Sequence, residues 1–161
     1  MLITLKKNEL VYDIEFMSYK VAKVHFLESN PQTAPEMAAS SDDRDYIDRL
    51  LESAVANVKA QLQWCVEERR HDAATDMVSP DKREYDIVLN IDDSLSRMAE
   101  PLCSAIHDYV VHYALYRFLL VTATDYAPPF ASLAESDINQ AYNLARNNMK
   151  YKYFSLWNAS T

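Results

Sequence analysis

The sequence contains no glycine, and this absence excludes several classes of functional site. Glycine normally makes up about 7% of a globular protein. Phosphate-binding P-loops, dinucleotide-binding fingerprints, nucleophile elbows and EF-hand calcium loops all need glycine for positive φ angles or close backbone approach. Tight two-residue β-hairpins also lose their favoured residue. Because helices tolerate the loss of glycine better than such hairpins do, the composition favours an all-α fold.

Cysteine and basic residues are also scarce. The two cysteines, Cys65 and Cys103, are too few for a disulfide scaffold, which favours a reduced, cytoplasmic setting. The chain has 24 acidic and 16 basic side chains, and a net charge of −8 argues against sequence-specific binding to duplex DNA. The N-terminal residues do not form a signal-peptide pattern. The most apolar stretch, residues 109–123, is too short and too polar to cross a membrane.

The hydrophobic pattern is helical along most of the chain. At 161 residues, the length predicts a single domain. Apolar residues recur at steps of three and four, which is typical of amphipathic helices. We expect a mainly α fold, a bundle of about four to five helices with spans near 9–27, 42–70, 101–123 and 130–157. Polar, proline-containing stretches near 29–39 and 72–84 predict exposed loops.

One segment has the pattern of a β-strand. Residues 85–91 alternate, with Tyr85, Ile87 and Leu89 on one face and polar residues such as Asp86 on the other. A lone strand is not stable in water. The segment must therefore pair with residues 2–6 or with a strand of a neighbouring subunit. Further along, Pro101 fits best at the first position of a helix, where its missing N–H costs nothing.

Two groups of side chains have the residue types of a metal site. Glu68 and His71 match the Glu-x-x-His motif of di-iron bundles, but those proteins need a second copy of the motif, and the chain has none. Glu100, Cys103 and His107 share one helix face, and each could ligate a metal. The simpler interpretation is a solvated helix end in the first case, and a core cysteine beside an exposed acid in the second. We expect no metal site.

A third pair has the residue types of a catalytic dyad. Asp108 and His112 are four residues apart, so the carboxylate could orient the imidazole, or the two could form an ordinary surface pair. No nucleophile motif accompanies them. The sequence therefore predicts no catalytic residue, no cofactor and no enzymatic activity.

Two surface groups are candidates for binding instead. An acidic group at the start of the second helix either caps that helix or forms an acidic functional face; its members are Asp42, Asp43, Asp45 and Asp48. A C-terminal group interleaves aromatic and basic residues, a composition that suits a protein interface, packing on the chain's own core or stacking on single-stranded nucleic acid. Its members are Tyr151, Lys152, Tyr153, Phe154 and Trp157.

Three segments resemble head–tail connector proteins of tailed bacteriophages. Residues 42–55, which run from Asp42 to Val55, resemble the acidic opening of the first long helix of these proteins. Residues 85–91 fit their short β segment, and residues 101–117 resemble their second long helix, which opens with proline and closes near tyrosine and arginine. The overall layout, including residues 10–14, is also similar to proteins encoded in prophage regions of Bacteroidetes genomes.

This resemblance implies a structural role. Connector subunits form a ring between the capsid portal and the tail, and DNA passes through that ring. An acidic lumen would let phosphates slide without sticking. The resemblance thus implies a homo-oligomer with portal or tail proteins as partners and a virion location. The alternative is a cytoplasmic helical adaptor or regulatory protein that binds another protein through its aromatic C-terminal group.

Overall fold

The part of the chain that the structure describes is mainly helical, with four helices and a small two-stranded sheet. A computed structural model describes residues 1–28, 38–67, 83–91 and 96–158. The elements in chain order are β1 (Leu2–Lys6), α1 (Lys7–Glu28), α2 (Arg44–Gln61), β2 (Glu84–Val88), α3 (Ser96–Thr122) and α4 (Pro128–Asn158). Short 3₁₀ turns at Ser41–Asp43 and Thr124–Tyr126 precede α2 and α4. The mainly α bundle with one short sheet predicted from the sequence is confirmed.

The two strands are antiparallel neighbours, which decides between the two pairings that the sequence allowed. Leu2 lies opposite Val88, and Lys6 lies opposite Glu84. Residues Ile3, Leu5, Tyr85 and Ile87 are buried, whereas the alternate residues of each strand are more exposed. This alternation places one face of the sheet on the core and leaves the other toward solvent.

Helix α2 is shorter than predicted. We expected one helix over 42–70, but α2 ends at Gln61 and the chain turns through residues 62–65. The reason is a competing set of backbone hydrogen bonds. The Glu67 N–H donates to the Val88 carbonyl at 2.8 Å, and the Asn90 N–H donates to the Cys65 carbonyl at 2.7 Å. Residues 65–67 therefore border the strand instead of continuing the helix.

Helix α3 starts earlier than predicted. Pro101 was expected at its first position, but the helix begins at Ser96 and contains Pro101 as an internal residue. Pro101 is the sixth residue of this helix, past the four N–H groups that have no intrahelical acceptor, so its ring removes one hydrogen bond to the preceding turn. In α4, by contrast, Pro128 and Pro129 occupy the first two positions. Proline is favoured at the start of a helix, because the N–H that it lacks would have no intrahelical acceptor there.

Helix α3 is the centre of the bundle. It packs against α1, α2 and α4. Its inward residues are almost completely buried: Leu102, Ile106, Val110, Ala114, Leu115, Phe118 and Leu119. Full burial of each large apolar side chain stabilises the fold by roughly 1.5–3 kcal/mol. Among the described helices, none is long and apolar enough to span a membrane.

Candidate functional site

The acidic group at the start of α2 divides into a capping residue and two free carboxylates. The Oδ2 atom of Asp43 accepts hydrogen bonds from the Ser40 N–H and the Ser40 hydroxyl, each at 2.9 Å, which forms a capping box. Asp42 and Asp45 are exposed. Neither of their carboxylates forms a hydrogen bond or ion pair with a residue that the structure describes. Within the described part of the chain, these two carboxylates are exposed and have no cationic partner.

Asp48, the fourth member of the predicted acidic face, is not on that surface. It is only 6% exposed, and its Oδ2 atom accepts a hydrogen bond from the Lys7 ammonium group at 2.6 Å. The pair joins the beginning of α1 to the middle of α2. The exposed carboxylates of the predicted acidic face are therefore those of Asp42 and Asp45, while Asp43 is partly buried and caps the helix start and Asp48 lies in the core.

The hydrogen-bonding capacity of this buried pair is only partly used. The Oδ1 atom of Asp48 has no hydrogen-bond partner among the described residues. The pKa of the nearby Tyr85 phenol is raised by burial and by the negative charges of Glu52 and Asp48. A neutral phenol beside a carboxylate is the less costly arrangement, because a second buried anion would repel the first. The pair is therefore a structural link with a high desolvation cost.

Asp108 and His112, which the spacing allowed to form a dyad or a surface pair, do not pair with each other. The Nδ1 atom of His112 lies 2.6 Å from the Oδ2 atom of Asp137, which belongs to α4. Asp108 instead accepts a hydrogen bond from the Ser104 hydroxyl at 3.3 Å. Both side chains of the His112–Asp137 pair are largely buried, at 14% and 16% exposed. The histidine thus links α3 to α4, and its ring also lies against Phe130.

His107, a member of the second candidate metal group, also pairs with a carboxylate on another helix. His107 pairs through Nε2 with the Oδ2 atom of Asp13 at 2.9 Å, which links α3 to α1. Burial raises the pKa of the Cys103 thiol, so the thiolate that a metal needs is disfavoured. Within residues 1–28, 38–67, 83–91 and 96–158, no three histidine, cysteine or acidic side chains are grouped to hold a metal ion. Glu68 and His71 lie outside these ranges.

The aromatic and basic group at the C-terminus lies on the last part of α4. The helical backbone continues to Asn158, so Tyr151, Lys152, Tyr153, Phe154 and Trp157 are all on this helix. Their side chains fall outside the part of the chain that the structure describes. The prediction that they form an interface stays a prediction.

A surface that the sequence analysis missed lies on the outside of α1. Tyr12, Phe16 and Tyr19 are 63%, 45% and 58% exposed. The rings of Tyr12 and Phe16 stack with centroids 6.1 Å apart, and the Lys20 ammonium lies 4.4 Å from the centre of the Phe16 ring. The sequence contained the signal: the three aromatic residues are four and three positions apart, which makes a second helical stripe on the side of α1 opposite its buried residues.

No similar protein of known function guides the interpretation of this surface and of the acidic face. Comparison of the chain with protein-family models, with curated proteins and with solved structures finds no match. The function must therefore be argued from the chain's own side chains.

Proposed function

We propose that the protein is a non-enzymatic structural subunit of a phage or prophage particle, similar to the ring-forming head–tail connectors. In this proposal its partners are other copies of itself and the portal or tail proteins, and it acts in the cytoplasm during assembly and in the virion afterwards. The observation that carries the proposal is the exposure of the Asp42 and Asp45 carboxylates, which form no hydrogen bond or ion pair with the described residues.

The polar side chains support a structural role. His107 and His112 each bind a carboxylate on another helix, Asp13 and Asp137 respectively. The buried Lys7 binds Asp48. Side chains that could have served as a general base or a metal ligand thus hold the bundle together. Rigid, mutually linked helices suit a subunit that must transmit force or keep a channel open.

The acidic surface supports a channel for DNA. Exposed carboxylates repel phosphate groups, so a ring lined by Asp42 and Asp45 would hold a duplex without binding it tightly. The net charge of −8 has the same sign. A closed ring requires a heterologous contact between neighbouring copies, in which two different surfaces of the subunit meet.

The test is the absolute mass of the protein in solution, alone and mixed with a portal ring. We expect a discrete species on the order of ten subunits, visible as a ring by electron microscopy. Asp42→Lys together with Asp45→Lys should leave the ring mass unchanged and slow the passage of DNA, because phosphates would bind the lumen. A protein that forms no large oligomer under either condition contradicts the proposal.

A second function is favoured by the length of α4. This helix has 31 residues and extends to Asn158, and among the side chains that the structure describes, up to residue 147, the last one buried in the core is that of Ala145. Positions 151, 154 and 157 fall within about 120° of arc on an α-helix. The chain could thus act as an adaptor that binds a protein partner through this end. Deletion of residues 150–161 should then abolish capture of the partner, while retained capture excludes the adaptor.

A further inference from the structure

The outward face of α1 has the side-chain spacing of a coiled-coil contact. Glu9, Tyr12, Phe16, Tyr19 and Lys23 follow one another at steps of three, four, three and four residues, and we call this row the α1 seam. These steps are those of the two core positions of a heptad repeat, which face a partner helix in coiled coils. All five side chains are exposed.

The α1 seam lies opposite the face that α1 already uses. The buried face of α1 consists of Leu10, Val11, Ile14, Ser18 and Ala22. With 100° between successive residues, Phe16 is about 160° around the helix from Ile14. One side of α1 therefore packs on the described bundle, and the other presents three large aromatic side chains to solvent.

We propose that the α1 seam binds the α1 seam of a second copy of this chain, with the two helices antiparallel about a twofold axis. The argument is charge complementarity. Glu9 lies at the N-terminal end of the seam, Lys23 lies at the C-terminal end, and Phe16 is midway between them. An antiparallel pair places each Glu9 beside the Lys23 of the other copy.

The opposite orientation is disfavoured by the same charges. A parallel pair would place Glu9 beside Glu9 and Lys23 beside Lys23, and like charges in contact suppress an interaction. Antiparallel helices also align their dipoles favourably. The seam is therefore complementary to a reversed copy of itself, which is the requirement for a twofold contact.

The centre of the seam is already ordered for binding. The Tyr12 and Phe16 rings are nearly parallel, with 8° between their planes, and Lys20 covers the Phe16 ring. Side chains held in one arrangement lose less conformational freedom on association. Glu9 has an ion pair with Lys6 at 3.0 Å, but both side chains are more than half exposed. Such a pair is weak, so Glu9 can exchange it for Lys23 of the second copy.

The expected dimer is weak. The seam is about 21 Å long at 1.5 Å per residue. A single pair of helices of this length belongs to the small class of interfaces, below about 1,200 Å². We therefore expect reversible dimers in the micromolar range. This twofold contact goes beyond the proposed ring, whose neighbours meet through heterologous surfaces, and the two contacts can be tested separately.

The first experiment is sedimentation equilibrium of the full chain from about 1 µM to about 500 µM. Mass action favours the dimer at the upper end of this range. For the unmodified protein, we expect the mean mass to rise from that of one 18.5-kDa chain toward twice that value. Phe16→Glu should remain monomeric at every concentration. The matched control is Val121→Glu, at a residue 74% exposed on α3, which should dimerise like the unmodified protein. Circular dichroism should show that both variants are folded, because both sites are exposed.

Charge reversal tests the orientation. Glu9→Lys and Lys23→Glu should each weaken dimerisation at least fivefold, because each places like charges together in an antiparallel pair. The double variant restores opposite charges and should recover dimerisation to within about twofold of the unmodified protein. A double variant weaker than both single variants would overturn the antiparallel arrangement.

The outcomes separate this inference from the proposed function. Dimers that never form larger rings support the α1 contact and contradict the connector. Rings whose mass and assembly are unchanged by Phe16→Glu, without dimers of free subunits, support the connector and overturn the α1 contact. A chain that stays monomeric at about 500 µM also overturns it, and the seam would then be left for a helix of a different protein.

Discussion

The Lys7 ammonium group lies 2.6 Å from the Oδ2 atom of Asp48, although the two residues are 41 positions apart in the chain. Their side chains are only 11% and 9% exposed. The pair fixes the junction between β1 and α1 against the middle of α2. Because each charge is buried, loss of one partner leaves the other without compensation.

The first prediction concerns this pair. Lys7→Met should lower the free energy of unfolding by about 3–5 kcal/mol, because Asp48 would keep a buried charge without a counterion. The matched control is the adjacent Lys6→Met, whose exposed partner is Glu9, and this variant should unfold like the unmodified protein. Urea denaturation followed by circular dichroism measures both. Equal losses in the two variants would contradict the interpretation.

A double variant tests whether the charge pair itself is favourable. Replacement of a buried ion pair by apolar residues of similar volume is often neutral or stabilising. The Oδ1 atom of Asp48 has no described partner, which adds to the cost of the native arrangement. Lys7→Met combined with Asp48→Leu should therefore recover most of the stability that Lys7→Met alone loses. A double variant less stable than the single one would show that the pair contributes net stability.

The link between α3 and α4 gives another prediction. Asp137→Ala removes the partner of the largely buried His112 imidazole and should cost about 1–3 kcal/mol of unfolding free energy. Asp108→Ala, at the residue that the sequence placed beside His112, should change stability by no more than about 0.5 kcal/mol. Thermal and urea unfolding of the two variants provide the comparison. A larger loss from Asp108→Ala would contradict the pairing of His112 with Asp137 and favour Asp108 as its partner.

Stability should also fall in alkaline solution. Burial, and to a smaller extent the charge interaction with the neighbouring Tyr113, raises the pKa of Tyr109 to about 12. Burial likewise raises the pKa of Tyr85. An unfolded tyrosine titrates near pH 10. The folded state therefore holds these protons more tightly. Their contribution to stability is complete below about pH 10 and is lost as the pH rises toward about 12.

Urea unfolding at pH 9, 10 and 11 measures this dependence. Tyr109→Phe removes one of the two groups and should flatten the decline, whereas Tyr12→Phe, at an exposed tyrosine outside the core, should leave it unchanged. A decline of the same slope in both variants would contradict a role for Tyr109.

The two thiols should react slowly in the native protein. Burial raises the pKa of Cys65 to about 11 and raises that of Cys103 as well. Because the thiolate is the reactive form, a disulfide reagent at pH 8 should modify native Cys65 at least tenfold more slowly than the urea-unfolded chain. Cys103→Ser isolates Cys65, and Cys65→Ser isolates the less buried Cys103, which should react faster. Fast modification of native Cys65 would indicate that residues 62–65 open readily.

Local patterns predicted most of the fold. The helices begin and end close to the expected positions wherever the apolar period is the main signal, as in α1 and α4. Prediction failed at the end of α2, because Cys65 and Val66 continue the apolar pattern while their backbone groups bond to residues beside β2. Such pairing joins residues more than twenty positions apart and leaves no local signal.

Local spacing also failed to identify the partners of the polar side chains. A spacing of four suggested that His112 binds Asp108, but the actual partner, Asp137, is 25 residues away. Asp48 could have been recognised as a core residue, because it precedes Leu51, Val55 and Val58 at helical steps of three and four. Lys7 continues the period-two series of Ile3 and Leu5, but this spacing does not reveal that its partner is Asp48, 41 residues away.

The pairing of β1 with β2 also determines an order of events during synthesis. Leu2–Lys6 must wait for Glu84–Val88, about eighty residues later. At ~5–20 residues per second, that delay is roughly 4 to 16 seconds on the ribosome. During this interval Ile3 and Leu5 have no strand partner, and an unpaired apolar strand is prone to aggregate. The nascent chain is therefore most dependent on chaperones before residue 88 emerges, and less so once β2 has paired with β1.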